Sequence, residues 1–315
     1  MEETTPTPRP RKSPQEKGVW QQGIIVPIAL IAVNFLVMGL GISLYAATGY
    51  DEKLGQEIQA GFFTEPVWFP LVGLILCVLE ILAYRFLVKL FAKRPVVELG
   101  REGAVKETAF GVGLGAGIVS LPMLLLWLGG HWHLDSVGLR PGIAVGIGIG
   151  LMACVFEELL FRGIMVRLMD LFWGPVWAIV LSTVVFGSMH LMNPGMTGLG
   201  VVALAIEAGP LLGAAYLWRH RLWLPIGLHF GWNAMQAAFW GVNVSGTGEN
   251  LGLLDGSFTG PDWLTGGSVG IEGSLLTAVV ALASAGVILW YSRKPNSALS
   301  EAPEDASGTT PDTNS

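Results

Sequence analysis

The sequence is poor in charge. Asp, Glu, Lys and Arg make up 13% of 315 residues, about half the ~25% usual in a soluble domain. So few ionic groups cannot cover a water-soluble globule of this length. Cysteine is scarce as well: Cys77 and Cys154 both fall in apolar segments, where they serve as small buried hydrophobes and imply no disulfide framework. No internal repeat is evident. The net charge of −6 says little about partners because the charges sit in tails and loops, and no nucleic-acid partner is expected. What the chain has in excess is apolar: 52% hydrophobic residues and 43 glycines, and glycine is commoner in membrane helices than in soluble ones.

A bilayer core takes about 20 mostly apolar residues per helix. Such runs occur near 22–48, 67–91, 109–130, 142–168, 176–192, 199–218, 222–243 and 270–292, the fifth being short. The expected fold class is all-α: a polytopic bundle of about eight transmembrane spans. Residues 1–20 and 294–315 lack apolar periodicity and are expected to be disordered tails, the first basic and the second acidic, around a transmembrane domain over 21–293. The first run is too long for a signal peptide and lacks a convincing small-residue cleavage site, so it reads as a retained span. With the N-terminus inside, sixteen of the eighteen Lys and Arg residues fall on the inner side, leaving Lys53 and Arg140 outside. That asymmetry predicts a multi-pass protein of the cell membrane with both termini cytoplasmic.

Glycines spaced by four, Gly111 with Gly115, Gly113 with Gly117, and Gly142, Gly146 and Gly150, predict faces where helix backbones approach closely.

Ionisable residues inside spans mark functional sites by default. Here they are Glu80, Glu157, Glu158, Arg162, His190, Glu207 and His229, with the amides Asn34 and Asn233. Glu157 and Glu158 are adjacent, so they point about 100° apart on a helix and cannot do the same job. Glu158 has Arg162 at i+4, a favourable ion-pair order. Glu157 has no partner on its own helix. Phe186 and His190 share a face at i and i+4, as do His229 and Asn233. Glu157, His190, His229 and Asn233 can therefore meet at one depth in the bundle, around an intramembrane cavity. Such a set supports hydrolysis. A carboxylate in a low-dielectric site can act as general base, a histidine can orient the water, and an imidazole N–H beside an Asn amide can donate to an oxyanion. Ser182 and Ser188 lie nearby but belong to no nucleophile motif. Glu157, His190 and His229 could also hold zinc.

Three short motifs, E-E-x-x-x-R at Glu157, Glu158 and Arg162, F-x-x-x-H at Phe186 and His190, and H-x-x-x-N at His229 and Asn233, together resemble the CAAX prenyl protease 2 and bacteriocin-processing (CPBP, or Abi) family of intramembrane proteases. The likeness covers roughly 142–243, and the run Gly266 to Ser274, "GGSVGIEGS", also looks like bacterial members. The resemblance implies a helical bundle that cleaves a peptide bond of a membrane-associated or lipidated substrate, a protein or peptide entering from the membrane or the cytoplasmic side, with membrane lipids around it. Glu157 would be the base, His190 would help activate water, His229 and Asn233 would form the oxyanion site, and Glu158, Arg162 and Phe186 would support them. The family is often labelled metalloprotease. A metal-free glutamate mechanism is favoured here because Asn233 suits an oxyanion better than a metal. The competing readings are a zinc-dependent version of the protease, a proton-coupled transporter using Glu80 and Glu207 as relay groups, and a non-catalytic bacteriocin-immunity protein on the same fold.

Overall fold

The computed structural model describes residues 19, 21–46, 68–248 and 252–292. Apart from Val19, the expected tails at 1–20 and 294–315 lie outside the described residues, as does Lys53. Among the described residues ten α-helices follow in order: α1 (Val26–Ala46), α2 (Trp68–Leu87), α3 (Ala104–Leu128), α4 (Pro141–Glu158), α5 (Arg167–Trp173), α6 (Pro175–Met189), α7 (Gly198–Arg219), α8 (Trp223–Ala234), α9 (Asp262–Thr265) and α10 (Leu275–Ser292). The helical membrane bundle expected from composition is present. Among the described residues, six helical stretches are long and apolar enough to cross a membrane: Pro70–Ala92, Ala104–Leu128, Gly142–Trp173, Pro175–Met192, Gly198–Arg219 and Leu275–Ser292. The seventh expected span, 222–243, is not among these six; its helix, α8, has 12 residues and continues through five more to Phe239.

Several features depart from a plain helical reading. The α4 helix runs on through a wider π-helical segment, Leu159–Val166, and α8 through Met235–Phe239. Segments β1 (Trp132–Val137) and β2 (Leu254–Phe258) pair antiparallel, with Trp132 opposite Phe258 and an irregularity between Leu134 and Ser136. This ribbon lies where Arg140 reaches Asp255 at 3.6 Å.

Several basic side chains gather around Gln22, Glu98 and Glu107. Arg94 and Arg167 donate to Gln22 Oε1 at 3.1 and 2.9 Å. Arg221 pairs with Glu107 at 2.9 Å. Arg94 grips Glu98 with two bonds of 2.9 and 2.7 Å. Burial pushes the Glu98 carboxyl up, but the hydrogen bonds and charge of Arg94, with the Tyr84 hydroxyl, outweigh it and hold the carboxyl below the ordinary 4.5. A depressed folded-state value means that Glu98 contributes stability above the unfolded value, which is lost as pH falls through the folded one. The melting temperature in detergent should therefore fall on acidification below about pH 4.5, and less so in Glu98→Gln.

Helix α8 is held by close backbone contact. A Cβ at Gly115 would stand 2.0 Å from the Leu228 carbonyl oxygen, and one at Gly111 would stand 2.5 Å from that of Leu224. The contact is reciprocal: Gly227 and Gly231 leave only 2.2 Å to the carbonyls of Thr108 and Val112. Gly146 and Gly150 let α4 approach Ala238 and Phe230. The expected packing role of Gly113 and Gly117 does not hold among the described residues, none of which comes within 4 Å of a Cβ at either. Gly115→Ala should lower stability by about 1–3 kcal/mol through overpacking. Gly117→Ala should be neutral or slightly stabilising, since Ala favours helix. Equal melting temperatures for the two variants would refute this assignment of the packing face.

Candidate active site

Glu158 closes α4, and the π-helical segment that follows carries Arg162. Extra-wide turns of this kind are frequent at functional sites. Both Glu158 and Arg162 are fully buried, and their i,i+4 pair closes at 2.9 Å, as the sequence order predicts. Arg162 also donates to the Ala208 carbonyl of α7 at 2.9 Å, and its guanidinium lies 5.3 Å from the Phe186 ring centre. Phe186 thereby helps seat the arginine.

Glu158 does more than the sequence suggests. Its Oε1 also lies 2.9 Å from His229 Nδ1. A carboxylate has no proton to give, so Nδ1 carries the hydrogen and donates. The other nitrogen, Nε2, lies 3.9 Å from Glu157 Oε2, an oxygen with no hydrogen-bond partner among the described residues. His190 lies where α6 passes into a 3₁₀ turn. Its Nδ1 is 2.8 Å from the Phe186 carbonyl, so that nitrogen is the donor here too. In each neutral ring this leaves Nε2 with a lone pair.

A cavity of about 190 Å³ opens between α4, α6, α7 and α8. Glu157, Phe186, His190, His229 and Asn233 all line it. The four residues singled out for chemistry thus converge, while Glu158 and Arg162 stand behind the wall. The serines do not join them: Ser182 donates to the Ile179 carbonyl and Ser188 to that of Val184. Glu80, bonded by Asn34 at 2.8 Å, is also absent from the lining. Both cysteines are free and buried.

Residues 139–235 match the family model described as type II CAAX prenyl endopeptidase Rce1-like. This segment is Rce1-like. The match agrees with the resemblance read from the three motifs, and every motif residue from Glu157 to Asn233 falls within it. No curated protein and no solved structure matches the chain significantly.

The cavity also has walls that the motifs do not announce. Asn193, Glu207, Ser245, Thr247 and Glu272 line it, and the last three fall after the Rce1-like segment. Glu272 is 4% exposed. It accepts from Trp232 Nε1 at 2.8 Å, from the Ser245 backbone N–H at 2.5 Å and from the Ser245 hydroxyl at 2.8 Å. It thereby ties the loop after α8 to the residue next to Asn233. The only sequence signal for this was the run "GGSVGIEGS", which contains it.

The zinc alternative would draw on Glu157, His190 and His229. Nδ1 of each histidine is hydrogen-bonded away from the cavity, which leaves Nε2 as the ligating atom, but among the described residues no three His, Cys, Asp or Glu side chains form a group placed to hold an ion.

Proposed function

We propose that this multi-pass membrane protein is an intramembrane endopeptidase that hydrolyses a peptide bond of a membrane-associated or lipidated protein or peptide. The observation that carries the reading is Glu157: a carboxylate with an unpartnered oxygen, lining the same cavity as His190, His229 and Asn233, within an Rce1-like segment. In this reading a water sits between Glu157 and His190 Nε2. Glu157 takes its proton as the oxygen attacks the scissile carbonyl, and later delivers that proton to the leaving amine. The developing oxyanion is met by the Asn233 amide and His229 Nε2. Because Nδ1 of His229 already donates to Glu158, Nε2 can donate only in the doubly protonated ring, and Glu157 and Glu158 supply counter-charge on its two sides. Glu158 and Arg162 are positioning residues. The basic end of the bundle faces the cytoplasm, in the cell membrane.

Two measurements test the oxyanion assignment. Asn233→Ala should lower kcat by about 10²–10³, and activity of the unmodified protein should survive a chelator. Stoichiometric zinc by elemental analysis, with chelator-reversible activity, would overturn the metal-free mechanism while leaving the protease class intact.

A further inference from the structure

The catalytic scheme uses one of three carboxylates in the cavity wall. Glu157, Glu207 and Glu272 all line it, and among the described residues no Lys or Arg does. The nearby Arg162 is already neutralised by Glu158. The cavity is therefore rich in carboxyl groups, and these differ. Glu272 has both oxygens engaged by Trp232 and Ser245 and acts as a fixed anchor. Glu207, by contrast, is 1% exposed and has an Oε2 with no hydrogen-bond partner among the described residues.

Helix α7 is pressed on α6 beside it, where a Cβ at Gly209 would stand 2.0 Å from Thr183 Oγ1. A buried carboxylate without a partner is costly and invites a donor or counter-charge from whatever enters. A metal ion is a poor candidate, since no three ligating side chains group together among the described residues. The neighbouring wall from the same helix, Leu204, Leu211 and Leu212, is apolar. A cationic head on an apolar stem matches both surfaces.

We propose that Glu207, backed by the fixed charge of Glu272, is the specificity-determining residue of a subsite that receives a lysine or arginine side chain of the peptide substrate. The substrate class rests on the peptidase reading. The existence of a cation subsite does not.

The test uses the full-length protein in detergent and has two arms. In the first, n-butylguanidinium and its neutral isostere n-butylurea are titrated calorimetrically into wild type, Glu157→Gln and Glu207→Gln. Wild type and Glu157→Gln should bind the guanidinium at least about tenfold more tightly than the urea, and Glu207→Gln should lose that preference, as expected for one charge-assisted hydrogen bond. In the second arm, a positional-scanning peptide library compares Lys and Arg with norleucine. One position should favour the cations by about tenfold or more in kcat/KM, and the ratio should fall toward one in Glu207→Gln whatever the absolute rate. If that variant fails to fold, the wild-type preference for guanidinium over urea still decides. Equal binding of the two probes by wild type overturns the subsite, as does a preference that survives in folded Glu207→Gln. Guanidinium selectivity without cleavage of any peptide would instead sink the peptidase reading and leave the subsite standing.

Discussion

Glu157→Gln should leave a folded protein whose peptide cleavage is slower by about 10²–10⁴. Glutamine keeps the shape and one acceptor oxygen but cannot take a proton. The substitution removes little else. Oε2 makes no hydrogen bond among the described residues, and its nearest ion-pair partner, His229 Nε2, is 3.9 Å away. Folding should survive because the contacts that fix α4, through Gly146, Gly150, Glu158 and Arg162, are untouched. The decisive comparison is turnover at equal folded fraction, judged by size-exclusion profile and melting temperature. Near-normal turnover by a folded Glu157→Gln protein would remove this residue as the base.

Glu158→Gln should have the opposite signature, a loss of stability first. One carboxylate oxygen, Oε1, faces both the Arg162 guanidinium and His229 Nδ1 at 2.9 Å. Arg162 is fully buried, so removing its counter-charge strands a cation. Breaking a buried pair in this way costs about 3–5 kcal/mol. Replacing both members, Glu158→Gln with Arg162→Met, should recover much of that stability, because no charge is left behind. Activity should not return, since a neutral amide at 158 cannot supply the counter-charge that the doubly protonated His229 needs. Thermal unfolding and cleavage measured on the single and double variants separate the two roles. A single variant as stable as wild type would refute the buried pair as a stabilising element. Recovered cleavage in the double variant would refute the counter-charge role of Glu158.

The parts legible in the sequence were those set by composition and by spacing along one helix. Long apolar runs announced the bundle. The i,i+4 offset joined Glu158 to Arg162 and put His190 above Phe186. What spacing along one helix cannot give is convergence between helices. Glu207 on α7 and Glu272 in a 3₁₀ turn 65 residues later meet the motif residues only because α7, α8 and α10 pack together. Sequence order also hid the second partner of Glu158, because His229 is 71 residues away. Gly113 and Gly117 carry the same spacing as Gly111 and Gly115, yet only the latter pair meets α8. Spacing marks a face but not what covers it. The π-helical segments after Glu158 and Ala234 and the short ribbon leave no periodic signature and depend on tertiary contacts.

The central claim is that a water activated at Glu157 cleaves a peptide bond inside the membrane domain. The most direct measurement is mass spectrometry of the products formed when purified protein in liposomes acts on a membrane-spanning peptide in ¹⁸O-labelled water, with chelator present. The account predicts one labelled oxygen in the new carboxyl terminus for wild type and no product for Glu157→Gln. Cleavage of equal extent by both proteins, or intact peptide with folded wild type across a library of membrane-spanning sequences, would contradict it.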